Sequence, residues 1–154
     1  MSSFSSALVA IEAWPLSEAI RRSIWAYPAL ETVHIASFAT VVGSLMVLEL
    51  RVFGAAPAVP LSPLARLAVP IALTAFAVAA TAGLLMLISS ATEIVTNPAF
   101  QMKLCLIALA GANAWWFHRR GSLTRHDGVA KAQSLLSLLL WIGVITCGRL
   151  IAYV

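Results

Sequence analysis

Between Leu67 and Thr92 the chain runs for twenty-six residues without a charged side chain. A bilayer's hydrocarbon core is about 30 Å thick and takes roughly 20 helical residues to cross, so this run alone is long enough. Three shorter apolar runs accompany it. Thr32–Leu48 is closed by Glu49 and Arg51, Leu104–Phe117 follows Lys103, and Ala132–Val154 carries Arg149 as its single charge. These reach spanning length only by including charged residues, which must snorkel to headgroups or point into the bundle. The chain is 61% hydrophobic and 10% charged, against about 45–50% and about 25% in soluble domains. So little charge cannot cover a water-soluble globule. In lipid every backbone polar group needs an internal partner, and runs this long are helices rather than barrel strands. The expectation is an all-α integral membrane four-helix bundle forming one domain over residues 1–154. Its spans should lie at about 30–52, 67–90, 99–118 and 132–153.

The connections fit this reading. Gly54–Pro63 holds Pro57, Pro60 and Pro63 and should be an extended link. In Thr96-Asn97-Pro98, Thr96 or Asn97 can cap a helix whose first turn takes Pro98. The third link is polar, with Arg119, Arg120, Arg125, His126, Asp127 and Lys131. Ahead of the first span, about 7–26 mixes Ile11, Trp14, Ile20, Ile24 and Trp25 with Glu12, Glu18, Arg21 and Arg22. It reads as an amphipathic interfacial helix, bent at Pro15 and ended near Pro28, with Trp14, Trp25 and Tyr27 as headgroup anchors. Met1–Ala10 has no basic residue to start a signal peptide, so the first span should direct insertion.

The net charge is +4, but the cations end apolar runs and form no basic patch, so nucleic acid is not an expected partner. Lipid is. Arg51, Arg66, Arg119, Arg120, Arg125 and Lys131 on the first and third links outnumber Arg21, Arg22, Lys103 and Arg149 on the other side. By the positive-inside rule both termini should be periplasmic in a bacterial inner membrane. Ala75, Ala79 and Gly83 in span two, and Ala110 with Ala114 in span three, are spaced for close helix packing, possible within one chain or in a homo-oligomer or larger membrane complex. Cys105 and Cys147 sit in apolar runs as small packing residues.

Depth sorts the polar residues. With this topology the outer layer collects Glu31, His34, Met86, Met102, Lys103, Cys105, Cys147 and Arg149. An ionisable group within a span is a functional candidate by default, and imidazole is a common haem or metal ligand. His34 is therefore either such a ligand or a structural histidine bonded to a neighbouring helix or to Glu31. Lys103 and Arg149 either hold a carboxylate-bearing ligand, such as haem propionates or an organic acid, or snorkel. His34 and His118 cannot share one iron: His118 lies fifteen residues inward of Lys103, roughly 22 Å at 1.5 Å per residue. Cys147, Met86, Met102 and His34 are soft enough for copper(I), without a tight ligand spacing. Near the inner face, Glu49, Arg51 and Asn113 form either a polar cluster or a snorkelling pair. No Ser/His/Asp set, HExxH helix or phosphate loop is present.

The stretches Trp25-Ala-Tyr-Pro28, Glu31-Thr-Val-His34 and Leu48-Glu-Leu-Arg-Val-Phe-Gly54 resemble an uncharacterised family of small four-span bacterial inner-membrane proteins. So does Asn97-Pro-Ala-Phe-Gln-Met-Lys103 through Ala110-Gly-Ala-Asn113 to Phe117-His118. More distantly, a histidine opening span one, an arginine closing it and a lysine opening span three are similar to HemJ-type protoporphyrinogen oxidases and copper-resistance D-type membrane proteins. That likeness implies haem b at His34 and Lys103. The leading expectation is a haem b-binding, cytochrome-like membrane protein working in electron transfer or redox chemistry near the outer face. His34 would be an axial ligand, Lys103 and Arg149 would hold propionates, and Met86 or Met102 would take the sixth position. A cofactor-free accessory or oligomer-forming subunit and a copper-handling protein are the alternatives.

Overall fold

A computed structural model describes residues 3–125 and 127–153. Every regular element among them is helical: α1 Ser3–Glu12, α2 Pro15–Arg22, α3 Ala26–Val52, α4 Leu61–Ser89, α5 Ala91–Ile94, α6 Pro98–Arg120, α7 Ser122–Arg125 and α8 Gly128–Leu150. The chain is an all-α membrane protein. α3, α4 and α8 are each long and apolar enough to cross a bilayer. α6 has the same 23 residues as α8, but Gln101, Lys103 and Asn113 interrupt its apolar sequence.

The helices form two antiparallel pairs, α3 with α4 and α6 with α8, joined mainly along α3 and α8. One face of α4 is nearly all alanine: Ala65, Ala68, Ala72, Ala79 and Ala82 are buried, which lets α3 approach closely. This stripe corrects the expected one. Ala79 belongs to it and Gly83 meets His34, but Ala75 is only half-buried and Ala114 is exposed. Toward one end Leu48, Val52, Leu61, Ala65, Ala68, Phe117 and Ala130 cluster; midway Phe38, Ala79 and Val144 do so. Large side chains such as Leu67, Leu73, Leu84, Leu109, Leu139 and Ile142 point outward, as lipid-facing positions must.

The helices run further than the apolar runs. α3 begins at Ala26, so Pro28 sits in its first turn rather than ending an earlier helix. A helix's first turn has no intrahelical use for N–H groups, and proline loses nothing there. For the same reason Pro63 lies within α4, and the extended link stops at Pro60. Gly54 (φ +106°) starts that link, and Arg51 pins it by donating to the carbonyls of Val59 (2.6 Å) and Pro57 (3.3 Å). Asn97 caps α6, its Oδ1 accepting from the N–H groups of Ala99 and Phe100. Asp127 caps α8 through the Ala130 N–H and pairs with Arg120. These two bonds hold its carboxyl well below the usual aspartate range. His126, in the same link, lies outside the described residues, as does Val154 at the end of the fourth run.

The expected single interfacial helix is two helices, broken between Glu12 and Pro15. Proline at the start of α2 has no N–H to continue α1. Both pack on the end of the α3–α4 pair. Arg21 donates to Ser89 O (3.0 Å) and Glu12 O (2.7 Å), while Glu12 accepts from the N–H and hydroxyl of Thr92, both at 2.7 Å. The segment is therefore tied to the α4–α5 corner. Trp14 and Trp25 are exposed, and Tyr27 is at the limit of exposure.

Candidate functional site

His34 lies two turns into α3, facing α4. Its Nδ1 donates to the carbonyl of Ala79 at 2.7 Å. A carbonyl can only accept, so Nδ1 carries the proton and, in the neutral ring, Nε2 keeps its lone pair. Gly83, one turn beyond Ala79, makes room for this ring: a Cβ there would stand 3.1 Å from His34 Cε1 and 3.3 Å from Nδ1. Nε2 looks across the bundle to Lys103 Nζ on α6, 3.5 Å away. The ammonium also lies 5.6 Å from the Phe38 ring centroid. Phe38 is one turn below His34, and its ring meets both His34 and Trp141 at 5.6 Å.

Lys103 owes its position to a second glycine. A Cβ on Gly148 of α8 would stand 3.4 Å from Nζ; Cys147, next to it in the chain, is half-buried. Four helices thus supply one level of the bundle: His34 and Phe38 from α3, Ala79 and Gly83 from α4, Lys103 from α6, and Trp141 with Gly148 from α8. Among the described residues no carboxylate forms an ion pair with Lys103. A lone ammonium inside a bundle wants an anion or a lone pair, and here it has the imidazole.

The other expected site residues stand apart from this pair. Arg149 turns toward the end of α8, donating to Tyr153 Oη at 2.8 Å with its guanidinium over that ring, and is exposed. Met102 is 55% exposed and points away from the bundle. Met86 is half-buried three residues past Gly83, and Glu31 and Cys105 are exposed. No three His, Cys, Asp or Glu side chains come together for a metal among the described residues. His118 is exposed and donates to Ala114 O of its own helix at 2.9 Å. At the far end of α3 Glu49 and Arg51 do not pair: Arg51 holds the loop, while Glu49 is buried.

Sequence reasoning missed the partners of His34 and Lys103. Gly83 was visible as part of a small-residue repeat, but a repeat does not say which side chain fills the space it leaves. Gly148 and the Ala79 carbonyl gave no sequence signal. Comparison with family models, curated proteins and solved structures finds no match for this chain.

Proposed function

We propose that the chain is a four-span bacterial inner-membrane protein that binds haem b in its outer half, where His34 Nε2 would hold the iron. The observation that carries this is the 2.7 Å bond from His34 Nδ1 to Ala79 O. A ligating histidine almost always gives its other N–H to a carbonyl or carboxylate, which fixes the tautomer and raises the basicity of the ligating nitrogen. Lys103 stands against that nitrogen and would have to swing aside for an iron. Released from it, the ammonium would suit a propionate, and the absent Gly148 side chain leaves it room. Arg149, more exposed, would pair with a propionate, and the half-buried Met86 rather than the outward-facing Met102 would be the thioether available to help hold the group. Bound haem would supply one-electron chemistry.

Chain order supports four crossings. α4 ends beside α2 and the start of α3. α8 begins beside the end of α3, where Ser137 meets Glu49. α6 must carry the chain between these two ends, and at 23 residues it covers roughly 34 Å at 1.5 Å per residue. The excess of Arg and Lys on the α3–α4 and α6–α8 links favours that end in the cytoplasm and both termini in the periplasm. The motif resemblance to the uncharacterised four-span family supports the same reading.

The direct contact of Lys103 with Nε2 favours a second reading. In it the two side chains lock α3 to α6 in a cofactor-free accessory subunit. Copper handling by Cys147, Met86, Met102 and His34 has less support, because Met102 faces outward. The visible spectrum of detergent-purified protein, made with ample haem, separates these readings. A Soret band with sharp reduced α and β bands, lost in His34→Ala while the fold persists, is the expected result. A colourless wild-type protein would refute haem binding and leave metal analysis to test copper.

A further inference from the structure

Fifteen residues below His34 on α3, roughly 22 Å along the helix, three buried polar side chains lie at one level of the bundle. Glu49 is 6%, Asn113 7% and Gln133 3% exposed. Glu49 Oε2, Asn113 Oδ1 and Gln133 Nε2 are the buried side-chain atoms left without a hydrogen-bond partner among the described residues. All three belong to one junction, because α8 receives them within a single turn. Asn113 Nδ2 of α6 donates to Gln133 O at 3.0 Å. Glu49 of α3 comes near Ser137, one turn further along α8, and its neighbours Leu48 and Val52 pack with Phe117 of α6 and Ala130 of α8. Helix interiors in lipid seldom tolerate one unsatisfied polar atom, so their gathering here points to a ligand.

A chain of hydrogen-bonded side chains leads from the surface to the site. Arg120 Nη1 donates to Ser122 Oγ (3.4 Å), and Ser122 Oγ donates to Gln133 Oε1 (2.7 Å). Polar side chains thus run without a break from the Arg120–Asp127 surface pair to the amide that borders the cluster. Among the described residues no fixed cation answers Glu49. Arg51 is bound to the Pro57 and Val59 carbonyls, Arg120 to Asp127, and Arg66, His118, Arg119 and Lys131 are exposed.

We propose that this junction binds a small exchangeable monovalent cation, a proton or sodium, with Glu49 as its charged ligand. Asn113 Oδ1 and the Ser137 hydroxyl supply further hard oxygens, the donor type such ions prefer. Gln133 holds Asn113 in place through its carbonyl and links the site to Ser122. The site is separate from the His34–Lys103 pair, so it stands or falls independently of haem.

The test is carbodiimide labelling of the full chain in detergent, read by mass spectrometry of the Glu49 peptide. Dicyclohexylcarbodiimide adds to protonated carboxyls in apolar surroundings. The expected result is one adduct, on Glu49, absent in Glu49→Gln. If sodium chloride slows the labelling at least tenfold relative to choline chloride, and Asn113→Ala removes that protection, the ion is sodium. If the two salts act alike and labelling falls as pH rises, the ion is a proton. No adduct on Glu49 at any pH would overturn the proposal, and so would labelling at a rate independent of both salt and pH. Glu49→Gln keeps the side chain's shape while removing its charge and turning one acceptor oxygen into an NH2 donor; its melting temperature must lose any sodium dependence that the wild type has.

Discussion

Gly83→Ala puts the His34 environment to a direct test, independent of any cofactor. The added Cβ would stand 3.1 Å from Cε1 and 3.3 Å from Nδ1 of the imidazole, closer than carbon atoms pack without strain. The ring cannot retreat freely, because Nδ1 is held to Ala79 O and the far side faces Lys103. Alanine gains about 1 kcal/mol over glycine in a helix interior. Against that, overpacking a filled core costs about 1–3 kcal/mol, and loosening the imidazole bond costs about 1 kcal/mol more. The net loss is on the order of 1–3 kcal/mol, which at 2–4 °C per kcal/mol lowers the melting temperature by roughly 5 °C. Gly43→Ala and Gly111→Ala are the controls, since nothing lies within 4 Å of a Cβ at either; each should be neutral or stabilising. The assay is thermal unfolding in detergent, followed by tryptophan fluorescence. If Gly83→Ala melts with or above the two controls, His34 is not packed against α4 as described.

Two further outcomes are expected. Asn97→Ala removes the α6 cap and the bond from Asn97 Nδ2 to Ile151 O (3.2 Å); it should cost about 1–2 kcal/mol, seen as a lower unfolding midpoint in denaturant. Acid should release the N-terminal helices first. Bonds from the Thr92 N–H and hydroxyl hold the Glu12 carboxyl below its ordinary range. A depressed carboxyl contributes stability that is full above its unfolded pKa and lost as pH falls through the folded one. Protease cleavage near Ala13 should therefore rise below the carboxylate range in the wild type. In Glu12→Gln it should already be raised at neutral pH, and a pH-independent rate in the wild type would contradict the contact.

What the sequence determined by itself was everything set by solvent and chain chemistry. Long runs without charge had to be membrane helices, because lipid satisfies no backbone group. A cap before Pro98 had to come from Thr96 or Asn97, because only these side chains reach the free N–H groups of the turn that follows; the structure chose Asn97. His34 and Lys103 could be placed at one depth, because helix rise is constant. What depth cannot supply is the rotation of each helix about its axis, and that decides which side chains meet. Rotation brought Lys103 onto His34 Nε2, turned Arg149 and Met102 away, and made the Ala79 carbonyl the partner that fixes the histidine tautomer. It also separated Glu49 from Arg51, two residues along the same helix, sending one into the bundle and the other onto the loop. Gln133 and Ser122 showed nothing in the sequence. Their roles come from a contact between α7 and α8 that exists only once the α6–α8 pair has formed.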